Sequence, residues 1–168
     1  MKAIVAVSED WGIGKNGRLL FNLPKDMMYF KEKTWGSTIV MGRSTLESLP
    51  GKKPLKGRES IVLSANTGFT VDGALVVRNT QALFTVLKSR LNEVFVIGGE
   101  SIFQLLLPYC EAALVTKVDA KPEADRFFPN LDKLPNWFIS EQSEEIKEND
   151  LTYRFLTYSN RAVLEFTG

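Results

Sequence analysis

Short apolar runs recur along this chain, and they limit the folds that it can adopt more than any other feature does. Five such runs lie in the first hundred residues, at 4–7, 38–42, 60–63, 74–77 and 93–97. Runs of this length that are rich in Val and Ile are typical of strands buried on both faces of a sheet. Helical segments or glycine-rich turns separate them, and this alternation predicts an α/β domain with parallel strands.

The last third of the chain has a different pattern. Residues 113–118 form another apolar run, whereas 137–143 and 152–158 alternate apolar and polar side chains, which is typical of antiparallel strands. The polar stretch 144–150 is interpreted as the connection between them. We therefore predict one three-layer α/β domain over residues 1–168. Its mixed, mostly parallel sheet has about eight strands, about four flanking helices and an antiparallel C-terminal edge.

Composition excludes several classes of function. The formal net charge of +1 argues against a general nucleic-acid binder, and no apolar run is long enough to cross a membrane. The single cysteine, Cys110, has no base or cation beside it, so we expect a structural thiol in a cytosolic protein. The chain has no histidine, which excludes Ser-His-Asp and Cys-His catalysis and removes the commonest metal ligand. We therefore expect no metal site, and any catalysis must rely largely on a bound cofactor and on a few carboxylates, hydroxyls and backbone groups.

Asp26 is the first candidate for such a carboxylate. It lies one turn into a helix predicted from Pro24 to Thr34. Its apolar neighbours in sequence are Leu23, Met27, Tyr29 and Phe30. One interpretation is an ordinary acid stabilised by free N–H groups at a helix start, and the stretch alone favours it. The other is a functional carboxylate in an apolar pocket, with a shifted pKa.

Two turns from strand to helix are candidate phosphate sites. Gly42 is followed by Arg43, Ser44 and Thr45, and the pair Gly98-Gly99 opens another predicted helix. Free N–H groups at such helix starts bind anions, although ordinary capping and tight strand–helix packing are alternatives. Neither turn matches the G-x-G-x-x-G fingerprint of dinucleotide-binding domains. The glycine-rich stretch 8–20 is predicted to be a long functional loop.

Six motifs occur in an order and spacing that together are specific for one family. They are N-L-P-x-D-x-x-x-F at 22–30, V-M-G-R-x-T at 40–45, G-R at 57–58, V-I-G-G at 96–99, T-x-V-D-A at 116–120 and E-A-D-x-x-F-P at 123–129. With them the chain resembles bacterial-type dihydrofolate reductases over nearly its whole length. The resemblance implies a cytoplasmic monomer that reduces 7,8-dihydrofolate with NADPH and binds antifolate inhibitors.

The resemblance also implies roles on the substrate side. Asp26 would orient the pterin ring and favour protonation of N5, with water delivering the proton and Thr116 supporting the carboxylate. Phe21 and Leu19 would lie beside the reacting atoms, and Arg58 would pair with the α-carboxylate of the glutamyl tail. The other residues expected around the substrate are Ile4, Val5, Ala6, Met27, Phe30, Lys31, Leu49, Lys53, Leu55 and Ile97.

On the cofactor side, the two strand-to-helix turns would hold the pyrophosphate, and Ser64 with Arg78 would grip the 2′-phosphate of NADPH. Residues 14–19 would form a mobile lid over the nicotinamide. The full set expected at the cofactor is Ala6, Ile13, Gly14, Asn16, Gly17, Arg18, Leu19, Gly42, Arg43, Ser44, Thr45, Leu63, Ser64, Ala65, Arg78, Ile97, Gly98, Gly99, Glu100, Ser101, Ile102 and Phe103.

The chain departs from the family pattern at four places. Phe21 replaces the usual Trp, Leu19-Leu20 replaces a common Met/Leu-Pro pair, Ala124 replaces a frequent glycine and Phe103 replaces a frequent Tyr. We expect these changes to affect the kinetics of the lid, the pH profile and the sensitivity to antifolates rather than the class of reaction. Two alternatives remain at this point. One is a same-fold NADPH reductase of a pyrimidine intermediate in flavin synthesis, and the other is a non-catalytic folate- or nucleotide-binding module.

Overall fold

The computed structural model describes residues 1–167. Its main sheet is built mostly from parallel strand pairs. The strands are β1 (Lys2–Val7), β2 (Gly12–Lys15), β3 (Arg18–Leu19), β4 (Thr38–Gly42), β5 (Glu59–Leu63), β6 (Ala74–Val77), β7 (Val94–Gly98), β8 (Ala112–Val118), β9 (Arg126–Phe127), β10 (Trp137–Gln142), β11 (Ile146–Glu148) and β12 (Leu151–Asn160). The helices are α1 (Pro24–Thr34), α2 (Arg43–Ser48), α3 (Thr80–Lys88) and α4 (Glu100–Leu106).

Within the described residues, nine strands form the main sheet, eight of them in the order β10-β12-β8-β1-β7-β4-β5-β6, with β11 paired to β12. The strands from β8 to β6 in this order are mutually parallel, whereas β12 is antiparallel to β8 and to β10. The predicted mixed sheet with an antiparallel C-terminal side is confirmed. The two predicted C-terminal strands correspond to β10 and β12. Only β10 lies at the end of this strand order, because β12 is inserted between β8 and β10.

Alternate residues of the central strands point to opposite faces, and each face has its own core. Val40, Ile61 and Val96 pack in one cluster with residues of α3 and α4. Ile39 and Met41 pack in another with Leu46 of α2 and partly buried side chains of α1. Helices therefore cover both faces, as a three-layer α/β domain requires. None of the helices in the described residues is long and apolar enough to span a membrane.

The stretch 8–20 is not the irregular loop that its glycines suggested. It contains the hairpin β2–β3, and β9 pairs with β2 to complete a second, three-stranded sheet. The turn is Asn16-Gly17, with φ values of 50° and 75°. Positive φ at both central residues suits the two-residue turns that close hairpins, so this Asn-Gly pair is the physical reason for the difference.

Two further expectations need correction. The polar stretch 144–150 is more than a connection, because it contains β11, which forms a hairpin with β12. The helical spacing of Leu83, Val86, Leu87 and Leu91 predicts a helix that reaches Leu91. Helix α3 instead ends at Lys88, and Leu91 lies beyond it and is fully exposed. Cys110 is buried, and burial raises the pKa of its thiol to about 12, as suits a structural cysteine.

Candidate active site

The candidate site lies at the sheet edge where the central parallel strands end. After β1 the chain crosses to β4 on one side, and after β7 it returns past β1 to β8 on the other. Neighbouring strands whose connections leave in opposite directions open a crevice beyond their carboxyl ends, which is where ligands bind in open α/β sheets. The segments that follow β1, β4, β5, β6 and β7 begin at this edge of the sheet, and they contain most of the residues expected at the cofactor.

Asp26 and Thr116 meet in this crevice although ninety positions separate them in sequence. The Thr116 hydroxyl donates a hydrogen bond of 2.6 Å to Asp26 Oδ1, and Thr116 is 2% exposed. Thr116 also faces Ala6 across the pairing of β8 with β1, which fixes its position relative to the strand end. Burial raises the pKa of Asp26, the hydrogen bond from Thr116 opposes this, and the charge of Glu148 adds to the rise. The carboxylate is thus held rigidly and tuned by its surroundings.

The apolar residues expected around the substrate lie largely on one side of the sheet. Those that pack in or against the same cluster are Ile4, Phe30, Leu49, Leu55 and Ile97. The wall expected directly around Asp26 is only partly present. Leu23 packs in a separate cluster with Val118 and Tyr153, and Phe21 packs against that cluster. Met27 is 62% exposed, and the Tyr29 ring stacks on Phe155 at 4.1 Å between centroids.

Arg58 carries polar atoms that the described part of the chain leaves without a partner. Its Nε and Nη1 are buried there and make no hydrogen bond, and burial lowers the pKa of the guanidinium. Its guanidinium carbon lies 5.5 Å from the centroid of the Trp35 ring. Gly57 has a φ of 81°, and a Cβ there would lie 2.3 Å from the Trp35 ring, so this approach requires glycine. Buried unpaired donors on a fixed cation form a site for an anion, such as a carboxylate.

The lysines expected near the same anion contribute less. Lys31 is exposed, and its Nζ lies 5.5 Å from the centroid of the Trp35 ring, on the same indole that Arg58 contacts. Lys53 is exposed in the segment after α2. Neither ammonium is buried, so water would screen its attraction for a ligand carboxylate more strongly than that of Arg58.

The two strand-to-helix turns converge, because β4 and β7 are neighbours in the sheet. A Cβ at Gly42 would lie 3.0 Å from Ile102 Cγ1, and Cβ atoms at Gly98 and Gly99 would lie 3.5 and 3.4 Å from Thr45 Oγ1. Neither α2 nor α4 has a side-chain cap at its start. Their free N–H groups and the bare glycine backbone fit an elongated anionic group such as a pyrophosphate.

Several side chains expected at the phosphates already have partners in the protein. Arg43 Nε donates to Glu47 Oε1 at 2.6 Å, and its guanidinium carbon lies 4.8 Å from the centroid of the Phe69 ring. The carboxylate of Glu100 points away towards β9, where it accepts a hydrogen bond of 3.1 Å from the N–H of Phe127. At these two positions, the backbone rather than the side chain is placed to contact a phosphate.

Arg78 and Ser64 lie together where β6 and β5 end. The Arg78 guanidinium donates to the carbonyl oxygens of Asn66 and, at 2.7 Å, Phe69, so it orders the loop that follows β5. The N–H of Ser64 donates to the carbonyl of Val77 at 3.0 Å. Leu63, at the end of β5, is partly buried, and Ala65 is exposed beside Ser64. The predicted pair is therefore brought together on an ordered loop.

The hairpin β2–β3 occupies the position expected for a lid. Its turn end is tied to the segment before β9, because Asn16 N–H donates to Asp125 Oδ2 at 3.0 Å and Lys15 pairs with Glu123 at 2.8 Å. Ile13 is 8% exposed and Leu19 is 84% exposed. Gly14 is partly buried, whereas Gly17 and Arg18 are exposed.

Besides Glu100, three more of the expected cofactor residues belong to α4. Ser101 is exposed, whereas Ile102 and Phe103 are 8% and 2% exposed and belong to the core. The ring of Phe103 packs edge-on against Phe128 at 4.8 Å between centroids. Phe103 Cε2 would lie 3.3 Å from a Cβ at Gly98, so the ring supports the glycine turn from behind.

Two residues beside the site were missed by sequence reasoning. Glu148 of β11 accepts a hydrogen bond of 3.1 Å from the N–H of Lys25, at the start of α1. Lys117 donates to the carbonyl of Glu9 at 3.1 Å, and its Nζ lies 3.9 Å from the centroid of the Trp11 ring at the base of the lid. The Asn149-Asp150 pair was the available indication of a hairpin at Glu148. Nothing local indicated the contacts of Lys117.

Comparison with known proteins identifies the family. A sequence model of the family described as dihydrofolate reductase matches residues 1–160. The chain is 36% identical over 160 residues to a dihydrofolate reductase from Bacillus subtilis, covering 94% of this chain and 93% of the relative. It is 33% identical over 156 residues to one from Neisseria gonorrhoeae, covering 92% and 94% respectively.

Bifunctional plant relatives and a solved structure extend this similarity. The chain spans about a third of the length of a bifunctional dihydrofolate reductase-thymidylate synthase from Glycine max, with 35% identity over 177 residues that cover 94% of this chain. A dihydrofolate reductase from Enterococcus faecalis, solved with NADP(H) and RAB-propyl, superposes with a TM-score of 0.85 at 33% identity, covering 95% of each chain. This chain therefore belongs to the dihydrofolate reductase family.

Proposed function

We propose that this protein reduces 7,8-dihydrofolate to 5,6,7,8-tetrahydrofolate with NADPH, as a cytoplasmic monomer in which residues 1–168 form one catalytic domain. The observation that carries the proposal is the Asp26–Thr116 pair, whose hydroxyl and carboxylate oxygens lie 2.6 Å apart in the crevice between the strand ends. The orphaned donors of Arg58 and the converging starts of α2 and α4 supply the charges that such a substrate and cofactor need.

Asp26 holds the pterin in this mechanism. Its carboxylate accepts hydrogen bonds from the ring's amino group and adjacent N–H, while Thr116 fixes the orientation of the carboxylate by donating to Oδ1. A negative charge on this side of the ring favours protonation of N5, and water delivers that proton. Bound NADPH supplies the hydride. The raised pKa of Asp26 places its ionisation nearer to the working pH, which suits a group that controls a proton.

The remaining binding groups divide between the two ligands. Arg58 receives the α-carboxylate of the glutamyl tail, which satisfies its buried Nε and Nη1. The N–H groups at the starts of α2 and α4 hold the pyrophosphate, and Ser64 with Arg78 holds the 2′-phosphate. The hairpin β2–β3 covers the nicotinamide end and excludes water. Antifolate inhibitors that mimic the pterin would occupy the Asp26 side of the crevice.

The pyrimidine reductase alternative is not favoured. Its substrate has no glutamyl tail, so the buried donors of Arg58 would have no anion to bind. The relatives reported above are dihydrofolate reductases. A non-catalytic module is disfavoured for a different reason, because a binder would not need a carboxylate of raised pKa at the pterin.

An assay of NADPH oxidation tests the proposal. The purified protein should oxidise NADPH only when dihydrofolate is present. Asp26→Asn should lower kcat at pH 7 by about 100-fold or more, the scale of general acid–base catalysis, with partial recovery at low pH. Asp72→Asn removes an exposed carboxylate between β5 and β6 that is not in the expected site, and this control should retain full activity. Unchanged turnover in Asp26→Asn at pH 7 would refute the assigned role, and turnover of the pyrimidine instead would refute the function.

A further inference from the structure

Helix α1 starts without a cap of its own. Its N-cap residue is Leu23, which has no side-chain hydrogen bond to offer, and Pro24 carries no N–H. The first N–H of the helix is therefore that of Lys25. It donates at 3.1 Å to Oε1 of Glu148, which lies 123 positions later in the sequence. A carboxylate from β11 thus caps the helix that carries Asp26.

The Glu148 carboxylate is fixed from a second direction. The hydroxyl of Tyr153 donates to the same Oε1 at 3.1 Å, and Tyr153 is 1% exposed. Burial and the charge of Glu148 raise the pKa of that phenol to about 12, so it remains a donor over the physiological range. Asn149 and Asp150 form the turn after Glu148 with φ values of 53° and 60°, which closes the hairpin and holds β11 against the helix start.

The groups that face Asp26 make it sensitive to this charge. They are Thr116 from β8, Glu148 from β11, Tyr153 from β12 and Tyr29 from α1 itself, with Glu141 of β10 beyond Tyr29. Thr116 donates to the carboxylate, whereas Glu148 repels its ionised form. Two carboxylates that share one helix start favour the protonated form of the more buried one.

The geometry points to Glu148 as a positioning residue for the pterin site: it fixes the first turn of α1 through the N–H of Lys25 and places a second carboxylate at the helix start that carries Asp26. This inference rests on the proposed role of Asp26. The contacts of Glu148 are with the N–H of Lys25 and the hydroxyl of Tyr153. Its effect passes through the helix start and through the electrostatic field at Asp26.

The test is Glu148→Gln, which retains an oxygen acceptor for Lys25 and Tyr153 but removes the charge. Carboxyl-carbon NMR titration of the free enzyme should show the Asp26 midpoint moving to lower pH by about half a unit, the scale of one partly screened charge. The pH profile of kcat/KM should move by the same amount. Glu145→Gln removes an exposed carboxylate of the same segment, which pairs with Arg154 at 3.5 Å, and should move neither the midpoint nor the profile.

The NMR measurement separates this inference from the proposed function. An unchanged Asp26 midpoint in Glu148→Gln, or a shift equal to that of Glu145→Gln, would overturn the inference even if Asp26→Asn abolished activity. A shifted midpoint with an unaltered pH profile of kcat/KM would support the electrostatic link but refute the role of Asp26. In Glu148→Ala, faster hydrogen exchange at Lys25 N–H should accompany a higher KM for dihydrofolate. Unchanged exchange there would overturn the capping role.

Discussion

Replacement of Arg58 by Met should stabilise the free enzyme and lower its affinity for the substrate. In the free enzyme, Nε and Nη1 of Arg58 are buried without hydrogen-bond partners among the described residues, which costs about 1–3 kcal/mol. Removing the guanidinium also removes its contact with the Trp35 ring, 5.5 Å away, worth about 0.5–1 kcal/mol. Met keeps much of the apolar stem, so little packing is lost.

The difference between these terms sets the expected magnitude. The net gain is therefore up to about 2.5 kcal/mol, which corresponds to a Tm up to roughly 10 °C higher for a chain of this size. The same substitution loses a charge-assisted contact to the substrate carboxylate, about 1.5–3 kcal/mol. The KM for dihydrofolate should therefore rise about 10- to 150-fold, since each 1.36 kcal/mol is a factor of ten.

Thermal unfolding and steady-state kinetics check both effects. Dihydrofolate should be compared with a dihydropterin that lacks the glutamyl group, because only the former should lose affinity. Lys53→Met removes an exposed cation from the neighbouring segment and is the matched control, expected to change KM less than threefold. If Arg58→Met weakened both substrates equally, or lowered the Tm, the assignment of Arg58 to the tail carboxylate would be refuted.

Two further predictions concern the cofactor side and the lid. Arg78→Ala should raise KM for NADPH about 10- to 150-fold more than KM for NADH, because only NADPH carries a 2′-phosphate; equal losses would mean that Arg78 acts only by ordering the loop at Asn66 and Phe69. Gly12→Ala should destabilise the protein by about 1–3 kcal/mol, since its Cβ would lie 2.7 Å from that of Ala124. Adding Ala124→Gly should restore part of this stability in thermal unfolding, because the added Cβ would still lie 2.9 Å from Ser8 Oγ; no recovery would contradict the contact with Ala124.

The sheet was predictable because its strands are buried on both faces. Val40, Ile61 and Val96 are fully buried, and such positions accept few residues other than aliphatic ones, so the apolar runs mark each strand. The strand-to-helix turns were also predictable, because each combines a glycine with a helix start. The resemblance linked Asp26 to Thr116, and the structure then placed the two in direct contact.

The remaining features depend on partners that are distant in sequence. Hairpin β2–β3 is stabilised by Asp125 and Glu123, which lie more than a hundred positions away. Trp11 appeared to be one more loop residue, yet it is 3% exposed and lies between Phe128 and Tyr158, with Lys117 over its ring. Local patterns contain no information on such pairs, because the side chains gain their burial only when the sheet is assembled.

A chain without histidine must control a proton with a group whose ordinary pKa is far from neutral. Here three influences around one carboxylate set the pKa of Asp26. Burial and the charge of Glu148 raise the pKa of Asp26, and the hydroxyl of Thr116 limits the rise while fixing the geometry. Free N–H groups at the start of a helix would normally favour the ionised form of Asp26. One of them, the N–H of Lys25, donates to Glu148 instead. The cap on α1 and the pKa of Asp26 are therefore coupled through Glu148. A substitution at either carboxylate should change the pKa of the other.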